Sequence, residues 1–280
     1  MNWLLFAAIN VLSFSVASLY QKLAMKEDAS DAVISSIIFQ FLLSGFSAIV
    51  AVFMGFHTPP LTFWPYLLSA ALLYALGTLF NFRAIKIIEA SEMSILSGAG
   101  VIVTIIIYFF FLHERLTITQ LTGAALVLIA ILLVKYERHT FKINKGVGFA
   151  LLGTACYGLA VTFDAFMLKS FDVFSYIPIM SFLPGVILIM MYPKKIPVLF
   201  REMKKINGNL IIYSFLYVVG AVSFYLPVHN GTLVSQMSVV GRVTIVLTVV
   251  LAAIFLKERS HIGKKILGAI LTTIGIFLIR

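Results

Sequence analysis

Apolar residues run along this chain in continuous stretches of about twenty, separated by short polar connections. A helix rises about 1.5 Å per residue, and hydrocarbon about 30 Å thick takes roughly 20 apolar residues. Ten stretches reach that length: 3–23, 33–56, 64–83, 93–112, 117–135, 146–168, 174–192, 210–228, 235–256 and 262–279. Backbone groups in lipid must be bonded within their own segment, so each stretch is predicted to be a helix. Strands of a membrane barrel would alternate apolar and polar positions, and these runs do not. The first run, in MNWLLFAAINVLSFSVASLY, lacks a basic start and is too long for a cleaved signal, so it is expected to stay as the first span.

The pattern repeats. FAAINVLSFSVASLYQ (6–21) matches FALLGTACYGLAVTFD (149–164), setting Phe14 against Tyr157 and Gln21 against Asp164. YALG (74–77) matches YVVG (217–220), SEMS (91–94) matches SQMS (235–238), and GAALVLIAILLV (123–134) matches GAILTTIGIFLI (268–279). The matches keep their order across both halves, as an internal duplication requires. The expected units are residues 1–140 and 141–280, five spans each, within one membrane domain. An odd number of spans turns the second unit upside down relative to the first, the inverted-repeat plan of many secondary transporters. The predicted fold class is thus all-α and polytopic, with ten transmembrane helices in two inverted five-helix repeats.

Composition agrees with a membrane protein. Of the 280 residues 61% are hydrophobic and 11% charged, against about 25% charged in soluble domains. The net charge of +10 does not point to nucleic acid, because Lys and Arg sit in short connections and form no basic, aromatic-interleaved face. They crowd the connections after odd-numbered spans, such as Lys194, Lys195, Arg201, Lys204 and Lys205. The other side holds Arg115, Lys169 and Arg280. The positive-inside rule therefore sets the odd connections in the cytoplasm and both termini outside. Cys156 is the single cysteine and the five histidines are scattered, so neither a disulfide nor a metal site is expected. The spans carry no Ser/His/Asp set, no HExxH and no paired catalytic carboxylates, so no enzyme activity is expected.

FLHERL (111–116) and FLKERS (255–260) each close the fourth span of a repeat with a Glu-Arg step, followed by a Gly-containing fifth span. LSFSVAS around Phe14 and CYGLAV around Tyr157 each set an aromatic residue among small ones in a first span. In this order the features resemble the drug/metabolite transporter superfamily, EamA type. Two departures are Phe and Tyr where members often carry Trp, and Gly in GAGVIVT (98–104) and VVGRVTIV (239–246) where they often carry Pro. Many members are also described with both termini cytoplasmic, against the charge distribution here. The resemblance implies a secondary carrier of small metabolites, mostly outward, with no ATP and no tightly bound cofactor.

It also implies a cavity lined by the first, third, fourth, sixth, eighth and ninth spans. The substrate-binding candidates there are Phe14, Tyr20, Gln21, Tyr74, Asn81, Tyr157, Asp164, Tyr225 and Arg242. Ionisable groups inside the bilayer cost several kcal/mol and persist where they pair, face water or act. Asp164 and Arg242 lie at similar shallow depth and are expected to pair. The repeat offers Lys22 and Glu92 at related positions on the other face, giving two candidate gates. Asp164 is the candidate to carry a proton. Glu114–Arg115 and Glu258–Arg259 are expected to be structural, each Glu capping the helix that follows. The expected partners are a small-molecule substrate, membrane lipid, and a proton or counter-solute, in a multi-pass monomer or homodimer of the plasma or inner membrane. An uptake carrier for a choline- or vitamin-type solute, or a non-transporting membrane subunit, are the alternatives.

Overall fold

The computed structural model describes residues 3–26, 30–100, 102, 117–137, 140–141, 144–168, 171–203, 206–229, 237 and 240–279. Its helices are α1 (Trp3–Lys26), α2 (Ala32–Met54), α3 (Trp64–Ile87), α4 (Ala90–Ser97), α5 (Ile118–Lys135), α6 (Lys145–Met167), α7 (Val173–Met191), α8 (Ile196–Met203), α9 (Gly208–His229), α10 (Val243–Phe255) and α11 (Ile262–Ile279). Two short strands, Tyr136–Glu137 and Thr140–Phe141, pair antiparallel between α5 and α6.

Among the described residues, six helices are long and apolar enough to cross a membrane: Trp3–Lys26, Ala32–Met54, Leu61–Ile87, Lys145–Asp164, Val173–Met191 and Gly208–Pro227. Ile118–Val134 and Val243–Phe255 are shorter apolar helices. The chain is thus a helical, multi-pass membrane protein. Residues 101 and 103–112 of the expected fourth span lie outside the described residues, as do Glu114 and Arg115 after it and part of the expected ninth span.

Polar residues between the apolar runs fix where helices begin. Asp31 accepts from the amides of Val33 (2.8 Å) and Ile34 (3.4 Å) and starts α2. Asn144 accepts from the Val147 amide (3.1 Å) and starts α6. Asp172 accepts from the Ser175 amide (2.8 Å) and starts α7. Each fills an amide that the first helical turn leaves unbonded. α2 ends on Gly55 at φ 90°, a backbone conformation that glycine adopts without a Cβ penalty.

The helices pair extensively as α3 with α6, α1 with α9, α5 with α11, and α2 with α7. The connections then gather at two ends. At one, Lys195 meets Asp31 at 2.5 Å, Lys86 donates to the Ser30 carbonyl, and Arg83 donates to the Tyr192 hydroxyl at 3.1 Å. At the other, the His57 amide donates to Ser175 Oγ at 2.9 Å, and the Phe63 and Phe166 rings lie 6.3 Å apart. Connections after odd-numbered spans therefore meet one another, as alternating threading requires. The largest core cluster joins α1, α2, α3 and α9 through Met25, Ile37, Phe39, Leu79, Phe82 and Tyr213. α8 was not expected from the sequence. Its Leu199 is buried and its Phe200 exposed.

Candidate functional site: a central cavity around Asp164

A cavity of about 550 Å³ runs between the halves, lined by α1, α2, α3, α4, α6, α7, α9 and α10. Phe14, Gln21, Tyr74, Asn81, Tyr157, Asp164, Tyr225 and Arg242 are among the residues that line it. Tyr20 packs instead against the large core cluster.

Asp164 belongs to the last turn of α6 and is 3% exposed. A buried carboxylate is costly unless its oxygens are bonded. Here both are: Tyr176, in the first turn of α7, donates to Oδ1 at 2.5 Å, and Tyr74, in the middle of α3, donates to Oδ2. The Arg242 guanidinium was expected in that role. The two phenols take it in this structure, while Arg242 lines the same cavity at the N-cap of α10. Tyr176 was missed from the sequence because an aromatic in an apolar span is ordinary packing material.

A second polar region crosses the cavity wall. Gln21 Nε2 donates to Asn81 Oδ1 at 2.8 Å, and Gln40 Nε2 donates to Thr78 Oγ1 at 2.8 Å. The Thr78 hydroxyl lies 3.0 Å from the Tyr157 hydroxyl. Gln40 had a legible signal, since a buried amide in mid-span needs partners just as a charge does. The Thr244 hydroxyl, on α10, is buried beside the cavity and has no hydrogen-bond partner among the described residues.

The aromatic residues that open each repeat are seated by matching glycines. A Cβ on Gly220 would lie 3.1 Å from the Phe14 ring, and one on Gly77 would lie 3.2 Å from the Tyr157 ring. Phe14 matches Tyr157 and Gly77 matches Gly220 in the repeat, so each first-span ring crosses to the third span of the other half. Phe14 also meets Tyr217 edge-on at 5.0 Å, and Tyr74 lies 5.8 Å from Tyr157. Aromatic faces and one carboxylate can hold a cation, while the amides and hydroxyls can bond a polar solute. Among the described residues no three His, Cys, Asp or Glu stand together as a metal site would require.

Of the residues expected to gate the other face, Lys22 donates to the carbonyls of Ile85 (2.8 Å) and Ile88 (2.7 Å), at the end of α3, and Glu92 sits in the first turn of α4. Glu258 does cap a helix, but not the following one. It accepts from the amides of Ala90 and Ser91 at 2.9 Å each, and so starts α4 from the opposite half.

The model of the EamA-like transporter family matches residues 1–136 and 144–280. The chain belongs to the EamA-like transporter family. That places it in the drug/metabolite transporter superfamily. A solved structure described only as "Crystal structure of protein" has a TM-score of 0.60 to this EamA-like chain at 12% identity. The match covers 98% of this chain and 94% of that one, and it carries the fold alone. No curated protein matches the chain.

Proposed function

We propose that this EamA-like protein is a secondary carrier that moves a small metabolite through the central cavity by alternating access, with export as its working direction. The observation that carries the reading is the cavity itself. It is built from both halves and holds a buried, doubly hydrogen-bonded Asp164 against aromatic walls. Asp164 and the ring faces suit an ammonium group, and Arg242 on the same cavity suits a carboxylate. The substrate class is therefore amino-acid-like or amine- and drug-like. A proton or a counter-solute drives the cycle, with Asp164 as the group that exchanges its bound cation for a proton.

Two inverted repeats supply the alternation in this reading. The family model matches in two segments of nearly equal length. Exchanging the halves converts the α1–α9 pair into the α6–α3 pair and leaves α2–α7 and α5–α11 as self-matched pairs, and all four pairs occur. The lysine-rich end faces the cytoplasm of a cell membrane by the positive-inside rule.

The test is a thermal-shift screen of the purified protein against amino acids, amines and nucleoside-type metabolites, followed by flux of each stabilising solute in proteoliposomes. The expected result is saturable, ATP-independent flux that falls in Asp164→Asn. Opposed gradients assign the direction, and flux supported only inward would replace export with uptake. A ligand that binds but is never carried would contradict the carrier reading and favour a non-transporting subunit.

A further inference from the structure

The turn between α3 and α4 is held from three directions, by groups that have no part in the Asp164 site. The Lys22 ammonium, from α1, sits on the carbonyls that end α3. The Glu258 carboxylate, 8% exposed in the turn before α11, caps the amides that begin α4 and takes the Ser91 hydroxyl at 2.7 Å. Between them, Glu89 forms an ion pair with Lys265 of α11, whose side chain is 3% exposed, and accepts from Ser260 Oγ at 2.9 Å. Lys265 also donates to Ser260 Oγ at 3.2 Å. The second half therefore grips the α4 side of a turn in the first, while Lys22 of the first half holds its α3 side.

The same turn is a wall of the cavity. Ile85, Ala90, Met93 and Ser94 all line it. The cavity cannot open toward this end by moving the start of α4 unless Glu258 leaves its amides and Glu89 leaves Lys265. The Lys265 ammonium is buried while Glu89 is about one-third exposed, and a buried charge that loses its partner is costly, so the pair resists being half-broken. That gives the turn two discrete states, gripped and released.

The grip is not repeated in sequence. The repeat sets Glu258 against Glu114, so the capping carboxylate recurs. It sets Glu89 against Leu233, Lys265 against Gln120 and Lys22 against Ala165, so neither the ion pair nor the lysine clamp does. We propose that Glu89, Lys265, Glu258 and Lys22 form a one-sided latch that closes the cavity at the α3–α4 turn and biases the resting protein toward closure on this face. The consequence for transport rests on the carrier reading above; the latch itself does not.

The experiment reads access to the cavity and needs no transported solute. In a Cys156→Ser background, Ser94→Cys is labelled with a membrane-impermeant maleimide, added separately to each face of sealed vesicles. Glu89→Gln and Lys265→Met are each expected to raise the labelling rate from the 256–261 face at least fivefold. The rate from the opposite face should not rise. The swap Glu89→Lys/Lys265→Glu is expected to return the rate to within twofold of the parent. If one single variant does not fold, the other and Glu258→Gln give the same readout. Rates within twofold of the parent in monodisperse single variants would overturn the latch, and so would equal acceleration from both faces. Flux that persists alongside unchanged labelling would sink the latch and leave the carrier reading standing.

Discussion

Asp164 lies in a run, AVTFDAFML, whose one other polar side chain, Thr162, bonds the Leu159 carbonyl, and its stability depends on two phenols from other helices. Removing the Tyr176 hydroxyl leaves one carboxylate oxygen unbonded, at a cost of about 1.5–3 kcal/mol for a charged hydrogen bond, where 1.4 kcal/mol is tenfold in an equilibrium constant. Tyr176→Phe is therefore expected to weaken solute affinity about tenfold or more in flux measurements, and Asp164→Asn to reduce flux further than either tyrosine variant. On the surface, partial burial alone would raise the Asp31 carboxyl. The hydrogen bond from Lys195 and those from the Val33 and Ile34 amides outweigh it, and the carboxyl sits below its ordinary range. A group depressed on folding stabilises the protein above its unfolded value, about 3.9, and loses that contribution as pH falls through the folded one. Asp31→Asn is thus expected to lower the melting temperature slightly at pH 7, with the gap to wild type closing below about pH 4. The effect is small because both partners are partly exposed. Asp164 was legible in the sequence because an acid in an apolar run stands out. Its donors were not, because a tyrosine hydroxyl carries no such contrast, and the in-span charge of Arg242 drew the expected pairing.

At the scale of helices, close approach is set by glycines. A Cβ on Gly275 of α11 would lie 2.6 Å from the Gly123 carbonyl of α5, backbone that cannot swing aside. Gly275→Ala is expected to push α11 off α5 and destabilise by about 1–3 kcal/mol, the usual cost of overpacking. Gly45→Ala, in α2, has nothing within 4 Å to meet and should be neutral or slightly stabilising, since alanine is the better helix former. Melting curves of the two variants in detergent check both statements. Most helices were legible to within a few residues, because length and apolar continuity fix them. α4 was not: it begins at Ala90 because Glu258, far along the chain, caps it. A local reading assigned Glu258 to its own neighbour. The short α8 and the 136–141 strand pair were likewise invisible, since neither needs an apolar run of membrane length.

For the whole molecule, the expected repeat rests on four short matches that keep their order, and an order-preserving set is far less accidental than any one of them. The crossing of rings between the halves was not legible. That Phe14 and Tyr157 would each be seated on a glycine of the opposite half follows only from three-dimensional crossing. This crossing is what makes the cavity a property of both halves, and on the proposed reading it lets one passage face either side. Access to a single mid-cavity position tests that most directly. Ser181, on α7, lines the cavity and bonds within its own helix, so Ser181→Cys in a Cys156→Ser background should leave the fold intact. Impermeant maleimide is applied to right-side-out and inside-out vesicles. The account predicts modification from both sides, slowed from each by a solute that stabilises the purified protein. Modification from one side only, under all conditions, would contradict it.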